Sequence, residues 1–147
     1  MKREDRKQLF LLQESAQIKK LDGKCICKEE KNWFRNTHVW KDFRKTFETA
    51  GVKKFKNGKE KPIKAVDPVT LNPLTKRFNL HHLDLNPRNY TKLKRENFLA
   101  LNSETHDTVH WLYTQYCKDP KSLDRMIAII KKMYELNNGK DVKDFKY

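Results

Sequence analysis

The histidines of this chain are concentrated in one segment, and their spacing limits the folds that the segment can adopt. Four of the five fall within 30 residues, as the adjacent pair His81 and His82 and the spaced pair His106 and His110. Neighbouring side chains on a strand point to opposite faces, whereas residues four apart on a helix share one face. Only one of the adjacent histidines can therefore join the helical pair, and the other is left to act elsewhere. Three imidazoles around one point would hold a divalent metal with coordination positions still open, which is typical of a catalytic site.

Local sequence signals place these histidines on a strand, a loop, a second strand and a helix. The first strand is predicted over residues 77–83, and the loop over 84–96 is rich in Asn, Pro and Arg. The second strand is predicted over 97–101, and Asn102 or Ser103 caps a helix that runs to about Tyr116. This order of elements strengthens the prediction of a metal site.

Helical periodicity dominates the rest of the chain. We predict helices over residues 4–22, 32–49 and 121–137, with a charged connector over 24–31. Asn32 is the expected cap of the second helix, and Asn138-Gly139 is the expected end of the last. One stripe of the second helix is expected to lie in the core, namely Trp33, Thr37, Trp40, Phe43 and Phe47.

The charge of the chain favours a polyanionic partner. The net charge is +14, and residues 1–64 carry 19 Lys and Arg against 9 Asp and Glu. This surplus suits nucleic acid, although a surplus of lysine also serves solubility. Residues 52–64 hold six lysines around Asn57-Gly58, a turn signal that is typical of a hairpin. These residues form either a loop that binds phosphates or a solvated linker. The sequence supports the two interpretations about equally.

Other sequence features exclude several classes of protein. The chain has no apolar run long enough to span a membrane and no signal peptide, so we expect a cytoplasmic, single-domain protein. Cys25, Cys27 and Cys117 are odd in number, which argues against a disulfide framework. The C-x-C pair has no second pair to complete a zinc site, so we expect ordinary reduced thiols.

The histidine region resembles the HNH, or ββα-metal, endonucleases. The resemblance is carried by Leu80-His-His-Leu-Asp-Leu-Asn-Pro-Arg-Asn89, by Glu96-Asn-Phe-Leu-Ala-Leu101 and by His106-Asp-Thr-Val-His110. It covers residues 77–116, a little over a quarter of the chain. The order of its histidines and asparagine is similar to that of colicin-type DNase toxins and many phage HNH proteins. Many HNH proteins also carry cysteine pairs that bind a structural zinc. Asn102-Ser-Glu-Thr stands in their place here, so a second metal is not expected.

The resemblance implies a role for each histidine of the cluster. His81, His106 and His110 match the ligands of one divalent ion, whether Mg, Mn, Ni or Zn. His82 matches the general base that activates water, and Asn97 matches the residue that orders the loop and so orients that base. In this family the metal stabilises the transition state and the leaving oxygen. Asp84 lies where an acid often supports the ligands, although capping a turn explains it equally well.

The resemblance also implies the fold and the partner. We expect an α+β fold, a mainly helical chain around a ββα-metal unit with a two-stranded antiparallel hairpin. Its parts are a basic helical region over 1–64, the HNH unit over 65–117, and a helix with a tail over 118–147. The expected activity is hydrolysis of DNA, with RNA as a possible substrate and a phage or mobile-element protein as a possible partner. The alternative is a non-catalytic protein that binds nucleic acid or a partner on the same scaffold.

Basic residues flank the predicted site and are candidates for contacts with phosphate. They are Arg77, Arg88, Lys92, Lys94 and Arg95. Each taken alone is a typical solvated surface charge, but we expect one or two of them to contact the backbone of a nucleic acid. Arg77 is the first choice because it lies four residues before His81.

Overall fold

The computed structural model describes residues 1–145, and within them the chain is α+β, as predicted. The helices are α1 (Arg3–Leu21), α2 (Lys28–Arg35), α3 (His38–Lys45), α4 (Ser103–Tyr116) and α5 (Pro120–Asn137). The strands are β1 (Thr49–Lys54), β2 (Glu60–Lys64), β3 (Asn79–His82) and β4 (Phe98–Leu101). They form two antiparallel pairs, β1 with β2 and β3 with β4. The described residues divide into two compact units, 1–106 and 107–145, and the division falls within the continuous helix α4.

The core of the first unit is built largely from aromatic side chains. Phe34 is fully buried and contacts Trp40 and Tyr90 at ring-centroid distances of 5.7 and 6.0 Å. Burying one side chain of this size stabilises a fold by about 1.5–3 kcal/mol. The other buried apolar residues of this cluster are Leu21, Ile26, Phe47, Leu74, Phe78, Leu80 and Phe98. The predicted stripe is therefore a core stripe, with Thr37, Trp40 and Phe47 buried and Trp33 and Phe43 partly buried.

The prediction of a single helix over 32–49 is wrong. Two helices occupy the region, α2 ends at Arg35, and strand β1 already begins at Thr49. Thr37 starts a new helix because its hydroxyl oxygen accepts a hydrogen bond from the Trp40 amide at 3.2 Å. The aromatic stripe continued across this break and concealed it. Asn32 is not a cap, since α2 begins at Lys28 inside the predicted connector and Glu30 accepts a hydrogen bond from the Cys27 amide.

A buried carboxylate on α1 reinforces the start of α3. Glu14 is almost fully buried, and its Oε1 accepts hydrogen bonds from the amides of His38 and Val39 at 2.7 and 3.3 Å. The first amides of a helix have no partner within the helix, and a negative charge is stabilising there. Glu14 therefore fixes α3 against α1, and with it the side of the core that carries Trp40.

The strands β1 and β2 form an exposed hairpin, in agreement with the turn signal at Asn57-Gly58. Gly58 has a φ of 80°, which favours glycine, and the Phe55 amide donates to the Lys59 carbonyl at 2.9 Å. Every residue from 48 to 64 is exposed. The region is thus a two-stranded ribbon that lies wholly at the surface.

The second unit contains the rest of α4 and all of α5. Asp119 precedes α5, and the helix ends at Asn138 and Gly139, which have φ values of 51° and 71°. The predicted start and end of this helix are therefore confirmed. None of the helices in residues 1–145 combines the length and apolarity that crossing a membrane requires. Cys25, Cys27 and Cys117 are exposed and carry free thiols.

Candidate active site

The paired strands β3 and β4 hold the two adjacent histidines. His81 lies opposite Leu99 and His82 opposite Phe98 in the antiparallel register. The side chains of these two histidines lie on opposite faces of the strand, as the two-residue period of a strand requires. His81 is buried, and its ring meets that of His106 on α4 edge to face, with centroids 5.5 Å apart. His82 contacts Trp40 of α3 instead.

Three histidines converge at the α4 side of strand β3. His81, His106 and His110 each offer one ring nitrogen, and these nitrogens all lie within 4.8 Å of one another. His106 and His110 are one turn apart on α4, so their side chains leave the same helix face. This spacing suits ligands of a single ion, because nitrogen–metal bonds of about 2.0–2.1 Å put tetrahedral ligands a little over 3 Å apart. The donor set is three imidazoles without a carboxylate, which favours Zn, Ni, Cu or Fe over Mg.

A buried aspartate fixes the start of α4 and hence His106. Asp67 is fully buried, and its carboxylate accepts hydrogen bonds from the amides of Val69, Thr70 and Asn102 at 2.8, 3.1 and 2.9 Å. Burial alone would raise the pKa of Asp67, but these bonds and one from the side chain of Thr105 lower it below its ordinary value. In the sequence, Asp67 stands out only as the residue before Pro68.

The side chain of Asn102 completes the connection between α4 and the preceding loop. Its Oδ1 accepts from the Thr75 amide at 2.9 Å and its Nδ2 donates to the Pro73 carbonyl at 3.1 Å. The Asn102 carbonyl in turn accepts from the His106 amide. The predicted cap therefore connects α4 to the loop that leads into β3.

The imidazole of His82 lies among aromatic rings. It lies nearly parallel to the rings of Tyr90 and Trp40, with centroids 4.5 and 5.9 Å away, and it also contacts Phe98 at 4.6 Å. Among the described residues, no group hydrogen-bonds to its buried Nε2. A hydrogen bond to the backbone of Tyr90 favours the protonated form of the ring.

The surroundings of His82 keep it neutral. Burial, followed by the positive charge of Arg35, lowers the pKa of His82 to about 4. The hydrogen bond to the Tyr90 backbone acts in the opposite direction, while His81 and Lys31 add to the lowering. A general base must be unprotonated to accept a proton, and His82 meets that condition at neutral pH.

A small pocket of about 190 Å³ adjoins both His82 and His106, and it includes two arginines that the sequence did not reveal. Arg35 on α2 donates from Nε to the Tyr90 hydroxyl at 2.7 Å. Arg44 on α3 lies over the Phe78 ring and donates to the Phe78 carbonyl at 2.7 Å. Nothing in the sequence connects these helices with Tyr90 or Phe78, since the residues are 55 and 34 positions apart.

Asp84 organises the loop after β3. Its Oδ1 accepts from the Asn86 amide at 2.9 Å, and its Oδ2 accepts from the Asn89 side chain at 2.7 Å. These bonds lower the pKa of Asp84. They match the turn-capping interpretation of Asp84. The main chain of Asn97 also contacts this loop. Its carbonyl accepts a hydrogen bond from the Leu83 amide at 2.9 Å.

The basic residues expected around the site have different surroundings. Arg95 lies over the Phe47 ring and donates to the Thr46 carbonyl at 3.0 Å, at the end of α3. Arg88 donates to the Gly23 carbonyl at 3.3 Å. Arg77 is exposed beside the start of α4, and Lys92 is exposed near Asp84. Arg88 and Arg95 thus connect loops to helices, whereas Arg77 and Lys92 are on the surface.

Comparison with known proteins finds no relative of this chain. No protein-family model matches the chain, and no curated protein or solved structure shows significant similarity to it.

Proposed function

We propose that this protein is a metal-dependent endonuclease that hydrolyses DNA phosphodiester bonds in the manner of HNH, or ββα-metal, enzymes. The observation that supports the proposal is the convergence of three imidazoles beside a fourth. The nitrogens of His81, His106 and His110 lie within 4.8 Å of one another. His82, the residue after His81, is neutral, and its Nε2 makes no hydrogen bond to the described residues. One divalent cation and one general base are what hydrolysis of a phosphodiester requires.

In this proposal, His82 accepts the proton of the attacking water. The hydrogen bond to the Tyr90 backbone orients the imidazole. The contacts with Trp40 and Tyr90 limit rotation of the ring. Arg35, hydrogen-bonded to the Tyr90 hydroxyl at the edge of the pocket, supplies a positive charge that suits a phosphate.

The metal would be held by His81, His106 and His110. When bound, it would stabilise the negative charge that develops on the phosphate and on the leaving oxygen. Asp67 and Asn102 hold the first turn of α4, and so keep His106 opposite His81. Rigid support of this kind preserves ligand geometry when the ion is exchanged.

One observation favours a second candidate function, a protein that binds nucleic acid without cleaving it. Nε2 of His82 is buried within the aromatic cluster, as expected for an imidazole whose role is to fill the core. In that case the histidines would stabilise the fold and the basic surface alone would act on the nucleic acid. The two candidate functions differ in the effect that replacing His82 has on cleavage of the nucleic acid.

Cleavage of plasmid DNA with single-residue variants tests the proposal. The wild-type protein should cut in the presence of Mn²⁺, Ni²⁺ or Zn²⁺ and should stop cutting in EDTA. His82→Ala should lower the rate by about 10²–10⁴-fold, the usual contribution of a general base, and leave metal binding intact. His110→Ala should weaken metal binding as well. His38→Gln, which changes the one histidine outside the cluster, is the matched control and should cut normally.

Three results would reject the proposed metal-dependent nuclease, and the first of them would favour the second candidate. They are no cleavage with any of these ions or Mg²⁺, equal cleavage in EDTA, or full activity of His82→Ala. Digesting RNA in parallel separates a deoxyribonuclease from a ribonuclease.

A further inference from the structure

The two faces of the β1–β2 hairpin differ in charge. Cross-strand partners share a face, so Lys53 and its partner Lys61 lie side by side on one of them. The next pair on that face in the direction of the turn, Phe55 and Lys59, adds an aromatic ring and a third lysine. We call these four residues the lysine face. It contains no acidic residue.

The opposite face of the ribbon is close to electrically balanced. Lys54 lies opposite Glu60 and makes an ion pair with it at 3.7 Å. Pro62, paired with Val52, lies on the same face, as does Lys64 at its base. The contrast matters because like charges directly opposite each other on a hairpin are destabilising. The chain places Glu60 beside Lys54 but leaves Lys53 beside Lys61, which indicates that the lysine face has a partner outside the molecule.

We propose that the lysine face binds the phosphate backbone of duplex DNA, with the ribbon lying in a groove. Two paired strands are about 5 Å apart, and the major groove of DNA is about 12 Å wide and admits a two-stranded ribbon. Every residue of the hairpin is exposed, so neither strand is covered by the rest of the first unit. Three closely spaced ammonium groups complement the regular spacing of phosphates on a duplex.

The position of Phe55 supports a duplex over a single strand. Proteins that bind single strands stack bases on open aromatic rings. The ring of Phe55 is already covered on one side by the Lys53 ammonium, 5.5 Å from its centroid. Phe55 therefore holds Lys53 in place through a cation–π contact and is a poor platform for a base. The choice of DNA as the polymer rests on the proposed function, whereas the choice of face does not.

Two double variants that remove equal charge test the lysine face. Lys53→Gln with Lys61→Gln removes two of its three lysines, and Lys54→Gln with Lys64→Gln removes two lysines from the opposite face. Binding of a fluorescent duplex is measured in EDTA, so that cleavage plays no part, over a range of salt concentrations. The first variant should bind roughly ten-fold more weakly and reduce the slope of log K against log salt by about 2, one for each lost phosphate contact. The second should change either quantity much less.

A melting measurement confirms that the variants fold, and the first should melt no lower than wild type because a like-charge pair has been removed. Equal weakening by both variants would show that net charge alone acts, and it would overturn the inference. So would unchanged binding of the first variant, or a loss confined to the same oligonucleotide in single-stranded form. If the protein binds through the lysine face but cleaves nothing, the inference is upheld and the nuclease is rejected. If the protein cleaves DNA and the first variant binds normally, the nuclease is upheld and the inference is rejected.

Discussion

At the scale of single residues, adjacent positions in this chain have opposite environments. His81 faces His106 across strand and helix, while His82 lies among Trp40, Tyr90 and Phe98. Metal ligation and proton transfer both need a neutral imidazole, but they need it in different surroundings. One strand with a period of two residues supplies both environments from consecutive positions. The aromatic cluster therefore serves the core and, under the proposed function, the chemistry of His82 as well.

The environment of His82 makes its protonation measurable in the metal-free protein. We expect its imidazole to titrate near pH 4 in an NMR titration in EDTA, because burial and Arg35 disfavour the charged ring. Arg35→Gln should raise that pKa, since it removes the second-largest cause of the lowering. Lys19→Gln, on the exposed surface of α1, is the control and should leave it unchanged. A midpoint near 6.5 in the wild-type protein would contradict the burial described here.

The same pKa shift predicts how stability depends on pH. The unfolded chain takes up the His82 proton near pH 6.5 and the folded protein only near pH 4. As pH falls through this window the unfolded state binds more protons, so folding loses free energy; above pH 6.5 the contribution is fully present. The loss attributable to His82 is at most about 3 kcal/mol. Urea unfolding of His82→Phe, which cannot be protonated, should show a weaker pH dependence over this range.

At the scale of elements, the polar side chain that positions α4 is Asp67. Asp67→Ala leaves the amides of Val69, Thr70 and Asn102 without their acceptor. We expect a loss of roughly 3–5 kcal/mol in the free energy of unfolding, because each abandoned buried donor costs about 1–3 kcal/mol. Urea denaturation measures it. Asp42→Ala, at an exposed position of α3, should change stability by less than about 0.5 kcal/mol. A similar small change for Asp67→Ala would show that water replaces the carboxylate.

The elements also show what sequence could and could not predict. The strands around His82 and Phe98, the helix that carries His106, and the hairpin turn at Gly58 were predicted because periodicity and turn residues are local signals. The break before Thr37 was missed, since Glu14, which completes the cap of α3, is more than 20 positions away. Asp67 and Arg35 were missed for the same reason, because their partners are distant in sequence. Long-range polar contacts have no local pattern.

At the scale of the whole molecule, charge and chemistry occupy different parts of the chain. Residues 1–64 carry a surplus of ten positive charges, including the lysine face, whereas the four clustered histidines fall between residues 81 and 110. The near-neutral segment between them holds Asp67, which helps to position the site. Under the proposed function, the first segment delivers a polyanion and the second acts on it. Binding and hydrolysis should then be separable by mutation, as the lysine and histidine variants test.

Metal binding should be visible as a change in the stability of the folded protein as a whole. His81 and His106 approach each other only when β3 and α4 are in place, so an ion that bridges them binds the folded state in preference to the unfolded one. At an ion concentration 100 times the dissociation constant, the gain is about 2.7 kcal/mol, or roughly 5–10 °C in the melting temperature of a chain this size. Zn²⁺ or Ni²⁺ should produce this shift and the same concentration of Mg²⁺ should not, because the donors are imidazoles. EDTA should reverse the shift, His110→Ala should abolish most of it, and His38→Gln should retain it. An equal shift in wild type and His110→Ala would place the ion elsewhere, for example at the exposed thiols of Cys25 and Cys27.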